Sequence, residues 1–103
     1  MTISNAFKLF TVAAPAHAAA WMGAARGLGE ACALDPKTRD LAYLSVLASQ
    51  GLVSGVPFHV ISARNNGATR EEVISAVLLG LPAAGNIVTQ SLPAALEAFD
   101  AAP

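Results

Sequence analysis

His59 is the residue in this 103-residue chain best suited to acid–base chemistry. An imidazole has an unperturbed pKa of about 6.5, so it can take or give a proton near neutrality. Asp40 lies on the preceding predicted helix. It can orient the His59 ring or hold its proton if the two helix faces meet. Both residues also have structural readings: a single His on an apolar helix can be a packed core or interface residue, and an acid in a helix's first turn favours the helix dipole. The other candidates are weaker. His17 is a second imidazole, but two histidines without Cys or Glu at ligand spacing form no metal motif, so no metal and no cofactor are expected. Cys32 is the only cysteine. It cannot form an intrachain disulfide and reads as a small packed residue. Arg64 and Arg70 flank Asn65-Asn66-Gly67 and could grip a carboxylate, though they read first as solvated or salt-bridged side chains. Ser54-Gly55 lacks the flanking strand of a nucleophile elbow.

The elements that must position His59 and Asp40 fall within residues 34–67, LDPKTRDLAYLSVLASQGLVSGVPFHVISARNNG. Asp35 is a helix cap and Pro36 a first helical residue. Leu41, Leu44, Val46, Leu47 and Ala48 make the following helix apolar nearly all round, which predicts burial on most sides. Gly51 stops it, and residues 52–56 form a short loop or turn. Pro57 opens a second helix that carries His59 and runs to about Asn65. Asn65-Asn66-Gly67 then ends it, because Asn and Gly tolerate the left-handed conformation.

The flanking segments are helical as well. Thr2 and Ser4 are possible caps for a short helix with Phe7 and Phe10 on one face, and residues 1–13 read as an arm that docks on the body or on a neighbour. Pro15 opens an Ala-rich helix with His17, Trp21, Met22 and Ala25 at helical spacing. It should end near Gly27 and Gly29, with Trp21 as a packing anchor. Thr69 and Glu72 make a capping box for a helix carrying Val73, Ile74, Val77 and Leu78, expected to reach about Ala84. Gly85-Asn86 marks a break before a last helix from about Ile87 to Phe99. Residues 101–103 should fray. Alternating strand patterns are absent, so the expected fold class is all-α, with about five to six helices in a single domain, residues 1–103.

Composition says how such a domain must live. Apolar residues make up 54% of the chain and charged residues 13%, against a usual charged share of about 25%. A domain of this size buries only roughly 60–65% of its unfolded surface. The surplus apolar surface points to a homo-oligomer or a membrane. The most apolar run, residues 73–88, is interrupted by Pro82, Gly85 and Asn86 and falls short of the ~20 residues a spanning helix needs. The N-terminal apolar stretch is too short and weak for a good signal-peptide core. The expectation is a cytoplasmic homo-oligomer with no membrane partner. The net charge of -1, with both signs scattered, leaves no basic patch for nucleic acid.

LDPKTRDL, then a helix, a break, a helix with His, and NNGATREEV together resemble the carboxymuconolactone decarboxylase and alkylhydroperoxidase D-like superfamily. The resemblance covers residues 34–99, and AAGNIVTQSLPAALEAF is similar to the superfamily's Gly-containing break and final helix. It implies an all-α fold and trimers or hexamers. Peroxidase members carry a Cys-x-x-Cys whose second cysteine lies four residues before the histidine. Those positions are Leu52 and Gly55 here, and neither can form a thiolate. The acid of the superfamily's proton relay falls on Asp40. The resemblance thus implies Asp40 and His59 as catalytic residues without the redox pair that thiol peroxidase chemistry needs.

Three functions follow as expectations. The first is an acid–base catalyst of the decarboxylase or lactone type, a lyase acting on a small organic acid without thiol peroxidase activity. The second is a non-catalytic oligomeric module that binds a ligand or builds an assembly. The third is an alkylhydroperoxidase-type antioxidant protein, disfavoured by the missing cysteines.

Overall fold

The computed structural model describes residues 4–101, and every regular element among them is helical. The chain divides into two compact units that meet at the boundary between Leu34 and Asp35.

The first unit is a pair of helices, α1 (Asn5–Ala13) and α2 (Pro15–Ala31), which lie against each other. Ser4 caps α1, its Oγ accepting a hydrogen bond from the Phe7 N–H at 3.2 Å. Thr2 lies outside the described residues. Phe7 and Phe10 meet edge to face with centroids 6.1 Å apart, as their spacing predicts. Helix α2 runs on past Gly27 and Gly29 to Ala31. A helical glycine costs about 1 kcal/mol, which the Ala-rich remainder of the helix tolerates. Trp21, expected as a packing anchor, is 60% exposed.

The second unit is built around α3 (Pro36–Gln50). The Asp35 carboxylate accepts from the Thr38 N–H at 2.8 Å, and Pro36 supplies the first turn. Gly51 ends the helix in the left-handed conformation at φ 70°, and the Leu52 N–H reaches back to the Leu47 carbonyl. A 3-10 turn, Val53–Gly55, leads into α4 (Val56–Asn65). The Thr69–Glu72 capping box is present in full and opens α5 (Arg70–Leu78). The core joins Leu44, Leu47 and Ala48 of α3 to Val56, Val60 and Ala63 of α4 and to Val73, Ala76 and Val77 of α5. Each buried Val or Leu contributes about 1.5–3 kcal/mol. Helix α3 is less enclosed than its composition predicts, since Tyr43 and Val46 are about half exposed.

The expected long helices after residue 70 are broken differently. Helix α5 stops at Leu78, a single turn forms α6 (Leu81–Ala84), and a 3-10 stretch spans Gly85–Ser91 before α7 (Leu92–Ala101). Gly80 packs against Ser49, whose Oγ would collide with any Cβ built there. Pro82 has no N–H to continue the ladder. Gly85 then turns the chain at φ 81°, and the Thr89 hydroxyl bonds to the Asn86 carbonyl at 2.8 Å. Residues 70–101 are long and apolar enough for a membrane span by length and composition. Yet these breaks divide the stretch into short pieces, and two of them pack on α3 and α4. Arg70 of α5 holds Asp100 of α7 through two hydrogen bonds of 2.9 and 3.1 Å.

Candidate functional site

Helices α3 and α4 pack closely along their lengths, and this contact brings the two predicted site residues into one neighbourhood. Asp40 sits in the second turn of α3 and not in the first as expected, because the helix starts at Pro36, and it is only 7% exposed. A buried carboxylate needs hydrogen-bond partners. It finds them at the far end of α4: the Ser62 hydroxyl donates to Oδ2 at 2.8 Å and the Asn66 amide donates to the same oxygen at 2.9 Å. The Asn66 amide also donates to the Ser62 carbonyl at 3.0 Å. Asn66 therefore closes the C-terminus of α4 and grips the acid of α3 with one group.

His59 lies one turn before Ser62 on α4 and is partly buried. Its ring is flanked by aromatic side chains. The Tyr43 ring of α3 packs against it with centroids 4.5 Å apart and planes at 48°, and the Phe58 ring meets it edge-on at 5.2 Å. No hydrogen bond to the imidazole occurs among the described residues. Burial pushes the His59 pKa below its ordinary value, and the negative charge of Asp40 opposes that shift. A neutral imidazole with free ring nitrogens, near a fixed carboxylate, can accept a proton and hold it against Asp40's charge.

The structure thus brings Asp40 and His59 into electrostatic contact but gives the carboxylate's hydrogen bonds to Ser62 and Asn66. Those two residues and Tyr43 escape a reading of the sequence for chemistry. Their signal is spacing alone: His59, Ser62 and Asn66 recur along one face of α4, and Tyr43 follows Asp40 by one turn of α3.

The superfamily's two cysteine positions fall just before the same helix. Leu52 is 53% exposed at the turn after α3. Gly55 ends the 3-10 turn, where a Cβ would make ordinary contact with Leu47 at 3.4 Å. Neither Leu52 nor Gly55 carries a thiol. Cys32 caps the C-terminus of α2 in the first unit. Among the described residues no cluster of His, Cys, Asp and Glu could hold a metal ion. Arg70 is committed to Asp100, and Arg64 lies 5.4 Å from the centre of the Phe99 ring.

A separate open groove of about 530 Å³ lies between α3 and α5. Leu41, Ala42, Ala76 and Leu79 line it, and Lys37 and Glu72, paired at 3.0 Å, stand at its rim. Neither Asp40 nor His59 lines this groove.

The all-α fold and this helix pair agree with a match to the carboxymuconolactone decarboxylase family over residues 15–102. The chain belongs to that family. Searches of curated proteins and of solved structures returned no match.

Proposed function

We propose that the protein is an acid–base catalyst of the decarboxylase or lactone type, acting on a small organic acid without thiol peroxidase activity. The observation that carries this reading is the partly buried His59 imidazole, free of hydrogen bonds among the described residues, its pKa lowered by burial against the opposing charge of the buried Asp40. In such chemistry the ionised substrate carboxylate leaves as carbon dioxide, its electron pair passes into the conjugated lactone carbonyl as an enolate, and the His59 imidazolium, charged with a proton from water, delivers that proton to carbon. Asp40 stabilises the imidazolium until the transfer. No redox step is assigned, because Leu52 and Gly55 stand where the resemblance places the two thiols.

The experiment is a screen of lactone carboxylic acids, with carboxymuconolactone itself as first probe, read by carbon dioxide release. His59→Ala should abolish any turnover found, with the helical circular dichroism spectrum unchanged.

A second reading is a non-catalytic oligomeric module, and one observation favours it. The Asp40 carboxylate is held by Ser62 and Asn66, an arrangement that also serves as a purely structural tie between α3 and α4. In both readings the chain assembles with copies of itself, as a trimer or hexamer, and works in the cytoplasm. The exposed Trp21, Tyr43, Val46, Phe58 and Leu79 support assembly, because a monomer rarely leaves so many large apolar side chains in water.

A further inference from the structure

We infer that Tyr43 is a positioning residue for His59: its ring, packed against the imidazole from the neighbouring helix, fixes the orientation of that ring and keeps water from it. This rests on the acid–base reading of His59, which it extends to a residue with no assigned role.

Three observations lead there. The imidazole has no hydrogen bond among the described residues, so packing must hold it. The Tyr43 centroid is 4.5 Å from that of His59, closer than the 5.2 Å of Phe58. Tyr43 also comes from α3, one turn after Asp40, so a single helix face presents both the charge and the ring to α4. About half of Tyr43 is exposed within the single chain, and its ring packs against the imidazole.

The charged surroundings make the effect of Tyr43 readable. Asp40 of α3 is the charge that acts on the His59 ring. Of the other helices packed on α4, α5 and α7 turn Arg70 and Asp100 toward each other, and Arg64 of α4 itself lies over Phe99. Removing the Tyr43 ring changes the solvation of the imidazole and leaves those charges in place. Burial is the larger influence on His59, so restored water should favour the protonated form.

The test compares Tyr43→Phe and Tyr43→Ala in the full chain. The His59 ring is titrated by NMR, with His17 as an internal reference and circular dichroism as a check on folding. Tyr43→Phe should titrate like the parent, because the ring is kept. Tyr43→Ala should titrate at higher pH, and any turnover found should show its alkaline limb displaced in the same direction. An unchanged His59 titration in Tyr43→Ala would overturn the inference. So would an equal shift in Tyr43→Phe, which would assign the effect to the hydroxyl and not to the ring. An upward shift in Tyr43→Ala alongside full turnover by His59→Ala would uphold the role of Tyr43 and remove only the catalytic reading of His59.

Discussion

The Ser62 hydroxyl donates to the Asp40 carboxylate at 2.8 Å, so the acid of α3 is tied to α4 one turn beyond His59. Asp40 therefore acts on the imidazole through its field while its hydrogen bonds lock two helices together. One side chain thus bears both on the tie between α3 and α4 and on the charge balance of His59. Asp40→Ala should destabilise the fold by roughly 2–3 kcal/mol, since it strands two donors and removes hydrogen bonds to a charged acceptor. In a double-mutant cycle, Ser62→Ala should lose less in the Asp40→Ala background than in the parent. Denaturant unfolding measures both, and additive losses would show that the hydrogen bond contributes nothing.

His59 makes stability depend on pH with a definite sign. Burial lowers its pKa in the folded chain, so between that lowered value and the ordinary value of the unfolded chain, the unfolded state binds more protons. Stability must then rise with pH across this window and fall as pH drops through it. The parent should lose more stability than His59→Gln between about pH 8 and about pH 5. Denaturant melts at the two pH values measure the difference, and equal losses would mean that burial does not lower the imidazole's pKa.

Gly80, just past the end of α5, lies close against Ser49 of α3. A Cβ at this position would collide with Ser49 Oγ. Gly80→Ala should therefore lower the melting temperature, although alanine is the better helix former. Adding Ser49→Ala should recover most of the loss. A destabilisation that Ser49→Ala leaves unchanged would place the strain elsewhere.

The exposed apolar side chains give the assembly its own test. Light scattering at micromolar concentration should report a mass of three or six chains. Val46→Glu, on the outward face of α3, should dissociate the assembly if that face is covered. A stable monomer in the parent would contradict the reading of the surplus apolar surface.

The sequence makes the helix starts legible because each carries local chemistry. Asp35-Pro36 and the Thr69–Glu72 box form the caps their residue types predict. The breaks at residues 79–91 are less legible, because the apolar pattern continues through Pro82 and Gly85, while Gly80 lies against Ser49, a residue distant in sequence. Trp21, Tyr43 and Val46 show a second limit: residue type does not tell a core face from a face that looks outward. At the site, His59 and Asp40 stand out by chemistry. Ser62, Asn66 and Tyr43 become meaningful only when α3 and α4 are in contact, since their roles depend on the register between two helices.

The central claim is that His59 is the proton carrier of this helix pair. The most direct measurement is carbon dioxide release from carboxymuconolactone, and from related lactone acids, by the parent chain and by His59→Ala, with light scattering confirming equal assembly. The account predicts turnover in the parent and its loss in His59→Ala, with fold and assembly intact. Undiminished turnover in His59→Ala would contradict it.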